Sequence, residues 1–260
     1  MSKRTAQVLG LSGEAVGEIE LPQVFNTPLR PDVIKKAVIT IQSHRYQPQG
    51  RDPYAGKRTT AESMGVGHGI ARLARLKGGR RAAFVVGTVG GHTAFPPRVD
   101  KNLKLKMNRK ENRLAILSGI AATADKQLVL ERGHSVESVK ELPLIIEDAV
   151  QGLGKTKEVK ELMIKTGVWQ DILRTSEKKI RAGKGKMRSR RVKRRIGPLI
   201  VVSEDLGLSK AAGALPGVDV VEVKSLNAEL LAPGAHPGRL TLWTQSAISM
   251  LDELFKVKEE

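Results

Sequence analysis

The feature that most constrains the fold is a long stretch, residues 45–98, whose apolar side chains follow neither a helical nor a strand period. It contains ten glycines and four prolines. A connection of more than ~12 to 15 residues without regular structure is uncommon in a compact domain unless it is functional or disordered. Because the sequence on both sides is periodic, this stretch is predicted to be an extended loop inside a folded protein.

The flanking sequence before and after this stretch predicts ordinary elements. Two short strands, TAQVLGL and EAVGEIEL, flank a tight turn at Ser12 and Gly13. A helix follows over 31–44, with Pro31 in its first turn and the apolar positions Val33, Ile34, Ala37, Val38 and Ile41. A second helix is predicted to begin at a capping residue, Asn108, with Glu111 three residues later, and to bury Leu114, Leu117, Ile120 and Ala121.

Five apolar runs in the second half of the chain alternate with helical stretches. They are 127–131, 142–147, 198–203, 218–223 and 239–243. Continuous apolar runs between helices are typical of parallel strands that are covered on both faces. The last helix, from Thr244, is expected to bury Ala247, Ile248, Leu251, Leu254 and Phe255. The sequence therefore predicts one α/β domain, 1–260, with a mostly parallel sheet flanked by helices on both faces.

Positive charge is concentrated in two parts of the chain. The protein has 45 Lys and Arg against 27 Asp and Glu, a net charge of +18. From 178 to 195, eleven of eighteen residues are basic and none is acidic, and from 44 to 98 there are ten basic residues against Asp52 and Glu62. Charge of this size and clustering indicates a polyanionic partner.

The sequence offers no recognisable catalytic or cofactor site. There is no cysteine, and the five histidines are far apart, without a metal-binding spacing. GVGHG at 65–69 lacks the third glycine of a dinucleotide loop, and GLGKT at 152–156 lacks the first glycine of a phosphate loop. AESMG at 61–65 lacks the first glycine of a nucleophile elbow. We therefore expect no enzyme, no cofactor and no metal.

The sequence also bears on location. The first residues are charged without a following apolar stretch of signal-peptide length, and no uncharged apolar run is long enough to cross a bilayer. The expectation is a cytoplasmic protein without a membrane partner.

RNA is the polyanion that the residue pattern favours. The sequence contains no helix-turn-helix, zinc-finger spacing or basic zipper that would place a helix in a DNA major groove. Four of the six Tyr and Phe residues lie in the 45–98 stretch, where rings can stack on unpaired bases. Its glycines let backbone N–H groups approach phosphates closely. A localisation signal and a membrane-surface patch are weaker readings of the same charge, because the 178–195 block is internal and shows no amphipathic stripe.

Two further classes stay open at this level. One is an RNA-processing or RNA-modifying enzyme with an α/β core, which would need a ligand crevice at the carboxyl ends of the strands. The other is a general nucleic-acid packaging protein, which would bind DNA and RNA alike. A structural RNA-binding protein remains the main expectation.

Three stretches together carry a specific resemblance that covers essentially the whole chain. They are GVGHGIARLARLKGGRR, GTVGGHTAFPPRVDKNLKLKMNRKENRLA and RAGKGKMRSRRVKRRIGP. In this combination and order the chain resembles the universal large-subunit ribosomal protein four family, in its archaeal form. The last stretch is similar to an insertion that archaeal and eukaryotic members share and bacterial members lack.

The resemblance implies a role that composition alone does not. Members of the family place an α/β domain on the surface of the large subunit, send a long loop into the rRNA, and bind early in assembly. The loop helps to line the nascent-peptide exit tunnel. Here the tunnel-proximal part would lie around 64–75, and 90–98 would run back through rRNA. The expected partners are large-subunit rRNA, neighbouring large-subunit ribosomal proteins and the nascent peptide, with the protein a monomer within the ribosome.

The loop is expected to span 44–100 and the basic extension 178–196, both within the single domain. Residues expected to contact rRNA are basic side chains, exposed rings, histidines and loop glycines. In the loop and just after it they are Arg45, Tyr46, Arg51, Tyr54, Lys57, Arg58, Gly65, Gly67, His68, Gly69, Arg72, Arg75, Lys77, Arg80, Arg81, Phe84, Gly90, Gly91, His92, Phe95, Arg98, Lys101, Lys104, Lys106 and Arg109. In the extension they are Lys178, Lys179, Arg181, Lys184, Lys186, Arg188, Arg190, Arg191, Lys193, Arg194 and Arg195.

Overall fold

The computed structural model describes residues 4–255, which divide into two compact units, 4–42 with 106–255 and 43–105. The strands are β1 Thr5–Leu9, β2 Ala15–Glu20, β3 Glu62–Ser63, β4 Ala74–Arg75, β5 Leu144–Ile146, β6 Lys179–Ile180, β7 Val192–Lys193, β8 Leu199–Val202, β9 Asp219–Glu222 and β10 Thr241–Thr244. The α-helices are α1 Pro31–Ser43, α2 Arg109–Thr123, α3 Lys126–Glu131, α4 Thr156–Lys165, α5 Trp169–Ser176, α6 Leu208–Ala212, α7 Ala228–Leu231 and α8 Gln245–Leu254.

The first unit is built on a six-stranded sheet in the order β2-β1-β5-β10-β8-β9. Strands β1 and β2 form the predicted antiparallel hairpin, and every other neighbouring pair is parallel. The sheet is therefore mixed but mostly parallel, with one antiparallel strand at its edge. The predicted α/β class with a mostly parallel sheet is confirmed.

Alternate residues of the central strands point into two separate hydrophobic clusters. Ile145, Leu199, Val201 and Trp243 belong to the cluster that includes buried residues of α1, α2, α7 and α8. Leu144, Ile146, Ile200, Val202 and Leu242 belong to the other, with buried residues of α3, α4, α5 and α6. Because a strand's side chains alternate between faces, the uninterrupted apolar runs are what a sheet covered on both faces requires.

One predicted strand is wrong. Residues 126–131 form helix α3, because the Asp125 side chain accepts a hydrogen bond from the backbone N–H of Gln127 at 2.9 Å and caps the segment. Only Val129 of this helix is fully buried, while Leu130 is 48% exposed. A short apolar run cannot distinguish strand from helix by itself, and here the cap decides.

Three details of the predicted helices also need correction. Asn108 is the N-cap of α2, but its side chain makes no capping hydrogen bond. The buried stripe of α2 contains Ala115, Gly119 and Ala122, whereas the predicted Leu114, Leu117 and Ala121 are only half-buried. A Cβ on Gly119 would lie 3.2 Å from a methyl carbon of Leu231, so small residues let α7 approach α2 closely. In α8, Leu254 is 43% exposed.

A buried polar network joins α5 to the loop before β5. His134 Nδ1–H donates to Asp171 Oδ2 at 2.9 Å, while the backbone N–H of Ser135 and Nε of Arg174 donate to Asp171 Oδ1 at 3.0 and 2.8 Å. Burial lowers the pKa of His134 although the hydrogen bond to Asp171 opposes this. Burial alone would raise the pKa of Asp171, but its hydrogen bonds lower it overall. The network therefore holds a carboxylate, a neutral imidazole and a guanidinium.

Replacing Asp171 by Asn should destabilise the first unit by about 3 kcal/mol, because the buried carboxylate accepts three hydrogen bonds and an amide would turn an NH2 group towards a donor, which would be left unsatisfied. Urea denaturation of the full chain measures this free energy of unfolding. Asp252→Asn, at an exposed carboxylate on α8, is the matched control. An Asp171→Asn variant as stable as the control would show that the network contributes little.

Candidate nucleic-acid interface

The unit of residues 43–105 has almost no interior. From 44 to 105, all of which the structure describes, every residue is exposed or half-buried. Its aromatic rings are among the exposed groups, with Tyr46 at 62%, Tyr54 at 63% and Phe95 at 94% exposure. Burial of apolar surface therefore cannot be what stabilises this segment.

Short hydrogen-bonded elements shape the middle of this unit, which the sequence pattern did not predict. Strands β3 and β4 pair antiparallel, with Glu62 opposite Arg75, and a bridge joins Arg75 to Ala82. Residues 64–73 form the tip between the two strands. The tip exposes Met64 at 55%, Val66 at 73%, Ile70 at 45% and Leu73 at 40%.

Three tip glycines adopt left-handed backbone conformations. Gly65, Gly67 and Gly69 have φ of 78°, 88° and 63°. No atom lies within 4 Å of the position that a Cβ would take on any of them. These glycines are therefore required by the backbone conformation and not by packing within the protein.

The segment that returns from the tip contains a turn over 84–92 that is closed by hydrogen bonds. The Phe84 carbonyl oxygen accepts from the backbone N–H of His92 at 3.4 Å and contacts His92 Nδ1, and the two rings lie 5.1 Å apart. A Cβ on Gly91 would lie 2.0 Å from the Val85 carbonyl oxygen, and one on Gly56 would lie 2.5 Å from the Gly91 backbone. Two of the predicted contact residues, Gly91 and His92, are thus used inside the loop itself.

The segment that leads into the loop carries a small charged cluster. Asp52 accepts from the backbone N–H of Tyr54 at 3.0 Å and pairs with Arg58, whose guanidinium lies 5.7 Å from the centre of the Tyr54 ring. The hydrogen bond from Arg58 lowers the pKa of the Asp52 carboxyl. This pair is exposed, so it orients the ring and the guanidinium more than it stabilises the loop.

The two ends of the unit are joined by hydrogen bonds. An open cleft lies between the segments that lead into and out of the loop. The backbone N–H of Leu105 donates to Ser43 Oγ at 3.0 Å, and the N–H of Arg51 donates to the Pro97 carbonyl at 3.1 Å. The cleft has a volume of about 1120 Å³. Its lining includes Arg45, Tyr46, Gln47, Gln49, Phe95, Pro96, Pro97, Arg98, Asp100, Lys101 and Leu103.

The basic block 178–195 forms a hairpin in the first unit. Strands β6 and β7 pair antiparallel, with Lys179 opposite Lys193, and the Arg181 side chain donates from Nε to the Arg190 carbonyl at 3.0 Å. Arg181 is half-buried and the other ten basic residues of the block are exposed. Within 4–255, Arg195 is the only one of the eleven with a carboxylate in ion-pair distance, Glu177 at 3.2 Å.

Two arginines, Arg174 and Arg239, fix the point where this hairpin rejoins the sheet. Arg174, held by Asp171, donates to the Ile196 carbonyl at 2.9 Å. Arg239, which is 1% exposed, donates to the Gly197 carbonyl at 2.9 Å. The hairpin therefore leaves the α/β core from a hydrogen-bonded base.

The charge of the protein is carried entirely by these two regions. Residues 43–105 have twelve Lys and Arg against three Asp and Glu, a net charge of +9, and the block 178–195 adds +11. The rest of the chain is then left with a net charge of −2 out of the total of +18. None of the predicted contact residues is buried.

The carboxyl ends of the parallel strands, where an enzyme of this class would bind a ligand, are occupied by a closed polar cluster. Gln151 Nε2 donates to Ser203 Oγ at 3.0 Å and to Ser246 Oγ at 2.9 Å, and Ser246 Oγ donates to Asp148 at 2.6 Å. Asp148 also accepts the backbone N–H of Ser246 at 2.9 Å in the first turn of α8. Asp148, one of the two acidic residues after β5, thus serves to cap a helix.

Several relevant residues were missed by sequence reasoning. Gln47, Gln49 and Asp100 line the cleft although nothing about their spacing indicated it. His134, interpreted from the sequence as a loop residue, is a buried member of the Asp171 network. Among the residues the structure describes, no group of three or more metal-ligating side chains and no helix able to cross a membrane is found.

Comparison with known proteins identifies the family. Residues 19–254 match the model of the ribosomal protein L4/L1 family. The large ribosomal subunit protein uL4 of Methanosphaera stadtmanae is 51% identical over 250 residues, covering 96% of each chain. Those of Methanococcoides burtonii and Archaeoglobus fulgidus are each 50% identical and cover 96% and 95% of this chain and 99% and 98% of their own.

These matches confirm the resemblance inferred from the sequence, including its archaeal form. Because the family is one of structural ribosomal components, they also set aside the alternative of an RNA-modifying enzyme. Together with the mostly parallel α/β sheet and the two exposed cationic segments, they establish that this chain belongs to the ribosomal protein L4/L1 family.

Proposed function

We propose that this chain is a structural protein of the large ribosomal subunit that binds large-subunit rRNA through the loop 44–100 and the extension 178–196. The observation that carries the proposal is that these regions together hold a net charge of +18, the whole net charge of the protein, while none of their residues is buried. The names of its relatives, large ribosomal subunit proteins, support the same particle.

The mechanism follows from electrostatics and chain entropy. Each Lys or Arg that neutralises a phosphate releases condensed counterions, which favours binding without a hydrophobic interface. Ordering a residue costs about 1 to 2 kcal/mol of backbone entropy. Because the loop has no buried side chains to offset this, contacts with folded rRNA would supply the compensation.

The tip of the loop suits the lining of the exit tunnel. Residues 64–73 expose Met64, Val66, Ile70 and Leu73 and contain no acidic residue. We assign this tip to the tunnel wall, next to the nascent peptide, and the more basic strands behind it to rRNA. Early binding in subunit assembly fits a protein whose charged segments must be in place before the surrounding rRNA closes.

The remaining surface is suited to neighbouring ribosomal proteins. With a net charge of −2, the rest of the chain does not repel basic proteins as the loop and the extension do. In the particle the protein would act as a monomer, with rRNA and neighbouring proteins as its partners and no cofactor.

Removing basic residues from the extension should weaken binding through the salt-dependent part of the free energy. For Arg188, Arg190 and Arg191 all replaced by Gln, the slope of log K against log salt is expected to fall by about 2 to 3 if each arginine contacts one phosphate. The measurement is titration of a large-subunit rRNA transcript at several salt concentrations, with duplex DNA as competitor.

The matched control is a triple replacement of Lys155, Lys157 and Lys160 by Gln, which removes the same charge from exposed positions at the start of α4. An equal fall in slope for both variants would mean that net charge alone matters. Competition by duplex DNA as strong as by rRNA would favour a packaging protein instead.

Limited trypsin digestion should distinguish the free protein from the bound one. In the free protein, cuts are expected within 45–98 and 181–195, where no residue is buried. Both segments should be protected in large subunits. Lysines within helix α4 serve as the internal standard, and resistance of both segments in the free protein would contradict the proposal.

A further inference from the structure

The cleft in the unit 43–105 combines three kinds of group that recognise an unpaired nucleotide. Tyr46 lies on the segment that leads into the loop, and Phe95 lies on the segment that leads back from its tip. Cationic side chains lie beside both rings, Arg45 on the first segment and Arg98 and Lys101 on the second. Asp100 is the single carboxylate in the lining. The cleft is therefore aromatic and positively charged at once.

The rings are available for stacking to an unusual degree. Phe95 is 94% exposed and Tyr46 is 62% exposed. An aromatic ring that is exposed to water gains none of the free energy that burial in a core would give. An exposed Phe therefore contributes to stability only when a partner covers its ring. The other two loop rings are engaged locally, Tyr54 with Arg58 and Phe84 with His92.

The cleft also contains groups able to read a base edge. Gln47 and Gln49 line it, and an amide side chain has both a donor and an acceptor for the Watson–Crick edge of a base. Its volume of about 1120 Å³ exceeds that of typical small-molecule sites, roughly 300 to 1,000 Å³, and can hold a nucleotide with its flanking phosphates.

The walls of the cleft are held by contacts that do not use these groups. The N–H of Arg51 bonds to the Pro97 carbonyl at 3.1 Å on one side, and on the other Leu105 bonds to Ser43 Oγ and to His44 Nε2 through its N–H and its carbonyl oxygen, at 3.0 Å each. A Cβ on Gly50 would lie 2.6 Å from a methyl carbon of Val99, so the two strands are in close contact there. These contacts keep the two sides of the cleft together and do not involve the rings of Tyr46 and Phe95.

We propose that this cleft binds a single unstacked RNA nucleotide, with its base against Tyr46 and Phe95, its phosphates at Arg98 and Lys101, and its base edge at Gln47 or Gln49. The proposal rests on the proposed rRNA-binding function and makes it more specific. Most of the loop binds phosphates without regard to sequence, whereas the cleft gives one position at which an extruded base is recognised.

The test uses the full-length protein and a single-stranded RNA oligonucleotide that carries one 2-aminopurine, whose fluorescence is quenched on stacking. Wild-type protein should quench it at a salt concentration that suppresses purely electrostatic binding. Tyr46→Leu and Phe95→Leu should each weaken binding by about 5- to 150-fold, the range for loss of one stacked ring. Tyr46→Phe keeps the ring and should retain most of the affinity.

Two controls separate stacking from charge and from folding. Leu206→Ala, at an exposed residue of the other unit that is 68% accessible, should bind as the wild type does. Arg98→Gln should lower the salt slope by about 0.7, whereas the ring variants should leave it unchanged. Unchanged urea midpoints would confirm that the variants remain folded.

The outcomes distinguish the cleft from the general function. The proposal that the cleft binds a nucleotide would be contradicted if the ring variants bound the oligonucleotide as tightly as wild type. It would also be contradicted if duplex RNA competed as well as single-stranded RNA. If wild type binds a large-subunit rRNA transcript in either case, the general proposal stands. Failure of wild type to prefer rRNA over duplex DNA would overturn the general proposal itself.

Discussion

The structure depends on keeping a large excess of positive charge away from the apolar interior. Cationic side chains are expensive to bury without partners, and the two regions that carry them have almost no core. Outside the block 178–195 the α/β unit is nearly neutral, so its sheet can be covered on both faces by ordinary packing. The one guanidinium that is buried within residues 4–255, that of Arg239, is bonded to the carboxylate of Asp219 and to the carbonyl oxygen of Gly197.

Two arginines connect stability to the proposed binding. Arg174 and Arg239 donate to the carbonyls of Ile196 and Gly197, immediately after the basic block. The Asp171 network therefore serves the core and also holds the base of the hairpin. A flexible base would leave the eleven cationic residues free to sample many positions, and binding would then carry a larger entropic cost.

Much of the fold could be predicted because strong patterns coincide with it. The apolar runs at 142–147, 198–203 and 239–243 predict strands that the structure confirms as β5, β8 and β10. The run at 127–131 failed because its length fits either element and the cap at Asp125 decides. Small residues of α2 such as Gly119 escaped notice, because close packing of α7 is a property of the assembled core and not of local hydrophobicity. The cleft escaped for a similar reason, since its residues come from two strands distant in sequence.

The joined ends of the unit 43–105 have a consequence for how such a segment can change over time. Ser43 and His44 are bonded to Leu105, so the intervening chain starts and finishes at one closed point. The entropy of closing a loop grows only with the logarithm of its length, about 0.6 kcal/mol for each doubling. Insertions and deletions near the tip would therefore cost little in free energy, and the reach of this arm can be adjusted to particles of different dimensions without redesigning the residues that clasp it.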